Sequence, residues 1–235
     1  MTWRDRMAAV LAPALIDKVP RDHRQPDTEF WRRRLVVLVF LALGATLLGL
    51  SLDVTPGDPR FYPMTLLLAA TWCVGGLLSG PLHVGRIPFN GGLRPPVLTP
   101  IVLGVLAGGL FAMGALVVRQ IPPLAGYVDD VLAHADAGPL PLIALITLAN
   151  GIAEEVFFRG GLFAAIGRRH PVVISTAVYA VATVTTLNPM LVFAALVLGL
   201  LLALQRRASG GILGPVLTHV TWSSTMLFLL PPLFA

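Results

Sequence analysis

Three charged residues stand inside an otherwise apolar run, Leu148-Ala149-Asn150-Gly151-Ile152-Ala153-Glu154-Glu155-Val156-Phe157-Phe158-Arg159-Gly160-Gly161. If that run crosses a bilayer, each charge costs roughly 2.5 to 3.5 kcal/mol near the helix centre, so each needs a partner or a task. Glu155 and Arg159 are four residues apart with the acid on the N-terminal side, the order that favours pairing. A purely structural role suits them at least as well as a chemical one. Glu154 lies about 100° around the helix from Glu155, on the stripe with Asn150, Phe158 and Gly161, and has no local cation. An unpaired acid in a membrane interior is by default a candidate for chemistry, above all proton transfer.

A second polar group follows in Thr218-His219-Val220-Thr221-Trp222-Ser223-Ser224-Thr225, where His219 and Ser223 fall one helical turn apart on one face. His219 is about 12 residues, or roughly 18 Å, along its helix from Arg207, and Glu154 is about 14 residues, or roughly 21 Å, from Arg168. The two side chains are therefore expected at one depth. Between them in sequence, Thr176, Tyr179, Thr183 and Thr186 recur at spacings of three and four, a polar stripe that more often serves helix packing than catalysis. His23, His83, His134 and His170 fall in the tail, at span ends or in loops, where an ordinary solvated imidazole is the better reading.

The elements that must position these residues are membrane helices. The 235-residue chain is 56% hydrophobic and 12% charged, against about 25% charged in soluble domains, which leaves too few charges for a water-facing surface. Seven spans are expected near the ~20-residue requirement: Leu35 to Leu52, Met64 to Leu82, Val97 to Val118, Pro141 to Ile166, Val172 to Leu187, Met190 to Leu204 and Ile212 to Phe234. The fifth and sixth are short and meet at Asn188-Pro189, which predicts a tight hairpin. The pairs Gly76 with Gly80 and Gly104 with Gly108 have the spacing that lets membrane helices approach closely. The expected fold is thus an all-α, polytopic membrane helix bundle over 35–235, preceded by a basic cytoplasmic tail over 1–34. In that tail Trp3, Met7, Val10, Leu11 and Ile16 recur at helical spacing, which fits either a helix lying on lipid headgroups or a partly ordered tail. The apolar run begins too late and is too long for a secretory signal.

Charge distribution sets the orientation. The tail holds eight Lys or Arg residues, and the heavier connectors after it, with Arg86 and Arg94, Arg168 and Arg169, and Arg206 and Arg207, alternate with lighter ones. The positive-inside rule then puts the N-terminus in the cytoplasm and the C-terminus outside. Asp129, Asp130 and Asp136 mark an external amphipathic segment between Arg119 and Leu140. The net charge of +5 is spread between apolar runs, so membrane lipid and not nucleic acid is the expected partner. Lys18 is the single lysine among many arginines, a bias that with the Ala and Gly content points to a GC-rich bacterial genome and so to a bacterial cell membrane. Cys73 is the only cysteine, so neither an intrachain disulfide nor a Cys-based zinc site can form.

The Glu154-Glu155-x-x-x-Arg159 run, the polar span after it and His219 near the start of the last span together resemble the CPBP family of intramembrane proteases, the CAAX-protease and bacteriocin-processing family. The resemblance covers about 141–230. It implies that Glu154 activates a water, that His219 orients or stabilises the oxyanion formed at the scissile carbonyl, and that Glu155 and Arg159 hold the helix in place. Two positions depart from the family pattern. Where the family has Phe-x-x-x-His this chain has Tyr179-Ala180-Val181-Ala182-Thr183, and where it has His-x-x-x-Asn this chain has His219-Val220-Thr221-Trp222-Ser223. Thr183 and Ser223 can hydrogen-bond a water or an oxyanion but cannot take a proton at neutral pH as imidazole does. With that His replaced, Glu154, Glu155 and His219 are what remain for a metal that usually takes three protein ligands, and Glu155 is expected on Arg159; neither a metal nor another cofactor is expected.

Three functions compete. The leading one is a glutamate-type intramembrane endopeptidase acting on membrane-associated peptides. The second is an inactive relative that binds a peptide or membrane partner in the same pocket. The third, a proton-coupled carrier, lacks the inverted repeats and broken half-spans of such transporters.

Overall fold

The computed structural model describes residues 2, 11–21, 25–89 and 91–234. Its helices are α1 (Asp27–Leu52), α2 (Phe61–Ser79), α3 (Leu98–Val118), α4 (Pro122–Asp136), α5 (Leu140–Glu154), α6 (Phe163–Ile166), α7 (Pro171–Thr183), α8 (Pro189–Ser209), α9 (Leu213–Leu229) and α10 (Pro231–Phe234). A π-helical stretch, Glu155–Leu162, joins α5 to α6, and a 3₁₀ turn, Val184–Thr186, extends α7. The molecule is an integral membrane protein, an all-α polytopic bundle. Five of its helical runs are long and apolar enough to cross a membrane: Asp27–Leu52, Phe61–Ser79, Leu98–Val118, Leu140–Ile166 and Pro189–Ser209. The other two expected spans are shorter. Pro171–Thr186 is an apolar helix below that length, and α9 has 17 residues, or about 25 Å against a hydrocarbon core of about 30 Å.

Helix starts follow local chemistry. Proline opens or nearly opens α4, α5, α7 and α8, where its fixed φ suits the helix and its missing N–H leaves no bond unmade. At the expected Asn188-Pro189 hairpin, the Asn188 side chain accepts hydrogen bonds from the amides of Met190 (3.0 Å) and Leu191 (3.2 Å), capping α8.

The boundary drawn at residue 34 gives way to a helix that begins at Asp27. Trp31 to Arg34 are its early turns, not tail: Arg34 Nε donates to the Ala165 carbonyl at 3.1 Å, and Arg33 is almost fully buried. Long arginine stems pack against apolar surface while their heads find carbonyls, so a basic run need not be solvated. Of the proposed headgroup helix, residues 11–15 are helical with Ala14 buried; Trp3, Met7 and Val10 lie outside the described residues. A two-stranded antiparallel hairpin, β1 (Ile87–Phe89) with β2 (Gly92–Arg94), occupies the connector between Arg86 and Arg94 and was not foreseen. The segment between Arg119 and Leu140 is helical, as α4, and buries none of its residues.

The helices pack as pairs, α1 on α2, α3 on α9 and α7 on α8, with α5 and the π-helical stretch wedged between α2 and α9. Glycines permit this. A Cβ on Gly76 would lie 2.6 Å from Val156 Cγ1, and one on Gly104 or Gly108 would lie 2.6 Å from Thr221 or Thr225. The core runs through Val37, Leu68, Trp72, Phe157, Phe158, Leu162 and Tyr179. Within it Trp72 meets Phe157 (ring centroids 4.5 Å apart) and Phe158 (5.0 Å), and Phe158 meets Tyr179 (4.6 Å). These aromatic contacts fix α2, the π-helical stretch and α7 to one another, around the charged residues.

Candidate active site

The charged cluster sits where α5 turns into the π-helical stretch at Glu155. Bonding of i to i+5 widens the turn, and such bulges recur at functional sites. Here the wide turn keeps Glu155 and Arg159 over one another while Phe157 and Phe158 both remain in the core. Gly160 and Gly161 complete it. A Cβ on Gly161 would stand 3.0 Å from Ser79 Oγ, so α2 can lie close alongside.

Glu155 is the hub. Its side chain is wholly buried, and its Oε1 accepts from Arg159 Nη1 at 2.9 Å and from His219 Nδ1 at 2.8 Å. Arg159 is tied down further: Nη2 donates to the Gly199 carbonyl at 3.0 Å, the guanidinium lies 4.8 Å from the Tyr179 ring centroid, and the Arg159 carbonyl accepts from Arg206 Nε at 2.7 Å. Because a carboxylate only accepts, His219 Nδ1 carries the proton toward Glu155, and Nε2 is left for another group. The imidazole lies beside Gly151, where a Cβ would be 3.6 Å from its Cδ2. The sequence sets His219 level with Glu154, and the imidazole makes its hydrogen bond to the adjacent acid, Glu155.

Glu154 is half-buried and accepts a hydrogen bond from the Tyr179 hydroxyl. From the sequence Tyr179 stands only in a polar stripe and at the Phe of the resembled motif, with no role given to the hydroxyl that Phe lacks. Neither Thr183 nor Ser223, read from the sequence as able to hydrogen-bond a water or an oxyanion, hydrogen-bonds to Glu154, Glu155 or His219 among the described residues. Thr183 Oγ1 donates to the Tyr179 carbonyl at 2.9 Å within its own helix. A hydroxyl one turn on from a carbonyl satisfies itself locally. Ser223 is buried, and its hydroxyl makes no hydrogen bond among the described residues. Glu154, Glu155, Arg159, Tyr179 and His219 are thus brought together, with His219 on Glu155 and not on Glu154.

Buried polar atoms in and around the cluster that have no hydrogen-bond partner include Glu155 Oε2, Arg159 Nε, Asn150 Oδ1, Thr176 Oγ1 and Trp222 Nε1. Unsatisfied buried groups are uncommon and concentrate where a water or substrate is handled. An open cleft of about 770 Å³ lies at the far end of α7, lined by Thr46, Tyr127, His134, Thr186 and Asn188 among others; neither glutamate nor His219 lines it. Among the described residues no group of three His, Cys, Asp or Glu side chains is gathered as metal ligands.

Residues 136–225 match the family model described as Type II CAAX prenyl endopeptidase Rce1-like. No curated protein and no solved structure matches the chain. The matched stretch runs from the last residue of α4 into α9 and so contains both glutamates, Arg159, Tyr179 and His219. Over residues 136–225 the chain belongs to the CPBP, Rce1-like family.

Proposed function

We propose that the protein is an intramembrane endopeptidase in which Glu154 activates the hydrolytic water. The observation that carries this reading is the unequal state of the two adjacent acids. Glu155 spends one oxygen on both Arg159 and His219 inside a sealed site, whereas Glu154 is half-buried with a single hydroxyl donor. A carboxylate in a water-restricted pocket that keeps accepting capacity can take a proton from water as the resulting hydroxide forms its bond to the scissile carbonyl carbon. His219, held by Glu155 through Nδ1, offers Nε2 to the developing oxyanion. As the tetrahedral intermediate collapses, the C–N bond breaks and Glu154 returns its proton to the leaving amine.

Glu155 and Arg159 act as positioning residues for His219 and for the wide turn. Thr183 and Ser223 line the same helices without a role in proton transfer. The substrate class is a membrane-associated peptide or protein, since the carboxylate sits within the bundle.

Purified protein given a library of membrane-anchored peptides should cleave some of them, and Glu154→Gln should lower the rate by about 10² to 10⁴ while leaving the fold intact. Cleavage that survives the change sinks the assignment of Glu154. A second reading, an inactive family member that binds a peptide, is favoured by Thr183 standing where the family has His; it requires peptide binding with no cleavage by the wild type.

A further inference from the structure

Arg33 and Arg206 are both buried, with 1% and 5% of their surface exposed, and among the described residues neither forms an ion pair with a carboxylate. They share a neighbourhood: His83, in the loop between α2 and β1, is pushed below its usual pKa by burial and by the charges of Arg206 and Arg33. Two guanidiniums that repel one another therefore stand in a region withdrawn from water. Among the described residues their hydrogen bonds are few. Arg33 Nη2 donates to the Pro81 carbonyl at 3.3 Å, and Arg33 Nε and Nη1 are buried with no partner. Arg206 Nε donates to the Arg159 carbonyl, and its guanidinium lies 5.3 Å from the Phe163 ring centroid.

Nearby helix ends offset little of this charge. Arg33 faces the C-terminus of α2 and has Glu29 one turn back on its own helix, while Arg206 is in the last turn of α8 with Arg21 as a further cation nearby; three guanidiniums against one carboxylate and helix ends of about half a unit of charge leave the region positive. A buried charge without a counter-charge is strongly disfavoured, and an orphaned buried donor commonly marks an ion or water. Position in the bilayer identifies the kind of anion. Arg33 stands two residues before the apolar run that starts at Leu35, and Arg206 two residues after the one that ends at Leu204. Both lie where a membrane helix passes the headgroups. The chain around them is built to stay. Gly80, at φ 141°, leaves room for the Arg33 guanidinium, and the 80–86 loop is held to the α8–α9 turn by Ile212 N to His83 O (2.9 Å) and Arg86 N to Ser209 O (2.9 Å).

We propose that Arg33 and Arg206 form a closed oxyanion site that takes the phosphate of an anionic phospholipid headgroup. The site is separate from Glu154 and does not depend on whether the protein cleaves peptides. Its link to the cluster is the Arg206 bond to the Arg159 carbonyl, through which a bound phosphate would steady the helix that carries both glutamates.

The test uses the full chain reconstituted in phosphatidylcholine alone, in phosphatidylcholine with phosphatidylglycerol, and in phosphatidylcholine with inorganic phosphate added. Thermal unfolding and native mass spectrometry are the readouts. A ligand that binds only the folded state raises Tm. The expected result is a rise of several degrees with phosphatidylglycerol, one retained anionic lipid, and loss of both in Arg33→Met. An equal rise with inorganic phosphate supports the site and assigns its source to free phosphate. Equal Tm values in all three preparations with no retained phospholipid overturn the proposal, as does an Arg33→Met chain that keeps the full response. If Arg33→Met fails to fold, the wild-type comparison still decides, and Arg33→Gln supplies the variant arm.

Discussion

Tyr179 serves the cluster with two parts of one side chain. Its ring packs on Phe158 and under the Arg159 guanidinium, and its hydroxyl donates to Glu154. Tyr179→Phe keeps the ring and removes the donor. A hydrogen bond to a charged group contributes about 1.5 to 3 kcal/mol; if that bond aims the Glu154 carboxylate, peptide cleavage should fall by about ten- to a hundredfold while Tm changes little. Unchanged cleavage would mean that the hydroxyl does not aim the carboxylate. Glu155→Gln should behave in the opposite way. Its charge answers both Arg159 and His219 at 0% exposure, and removing one member of a buried ion pair destabilises by about 3 to 5 kcal/mol. A thermal melt should therefore show a large drop for Glu155→Gln and a small one for Glu154→Gln; equal drops would contradict the division of labour between the two acids. The Glu155–Arg159 pair was legible in the sequence because four-residue spacing on a helix is local geometry. The partner of His219 was not, because depth along two helices fixes a level but not which of two adjacent carboxylates turns toward it.

At the scale of elements, glycine positions decide how close the helices stand. Gly76→Ala would bring a Cβ within 2.6 Å of both Val156 Cγ1 and the Val156 carbonyl, and since a backbone atom cannot turn aside, overpacking of about 1 to 3 kcal/mol is expected. Gly109, on α3, has nothing within 4 Å of its would-be Cβ. Gly109→Ala should leave stability unchanged or raise it by about 0.5 to 1 kcal/mol through helix propensity. The ordering of the two melting temperatures checks the pairing of α2 with the π-helical stretch, and a Gly76→Ala protein as stable as Gly109→Ala would contradict that contact. The long helices could be read from hydropathy, since an uninterrupted apolar run has few other solutions in a membrane. Three features could not. The start of α1 at Asp27 hides behind a basic run that looks solvated. The β1–β2 hairpin is too short and exposed to leave a pattern, with only Ile87 of its strands buried. The π-helical turn at Glu155 changes the bonding by one residue without changing which residues are apolar.

The connectors of the whole molecule gather into two sets, and the sets are those that charge alone separates. On one side the turn before α8 meets α4 and the end of α1: Asn188 Nδ2 donates to the Tyr127 carbonyl at 2.7 Å, Thr185 Oγ1 to the Ala45 carbonyl at 2.8 Å, and His134 Nε2 lies 2.8 Å from the Val54 carbonyl oxygen. On the other side the basic segments meet: Arg34 with Ala165, Arg207 with Leu15 at 3.1 Å, and Arg86 with Ser209. If α7 and α9 did not cross, Leu187 would share a side with Arg169, and these two groupings would be mixed. We therefore expect all seven segments to cross, the two short ones included, with the arginine-rich set in the cytoplasm as the positive-inside rule requires. In a Cys73→Ser background, Leu187→Cys should react with an impermeant thiol reagent added to intact cells, since Leu187 is 83% exposed. Arg169→Cys should react only after the membrane is opened. Labelling of both positions from the same side would remove the α7 crossing and contradict the seven-segment arrangement. Labelling in the reverse order would keep the α7 crossing and invert the protein, placing the buried arginines at the outer leaflet.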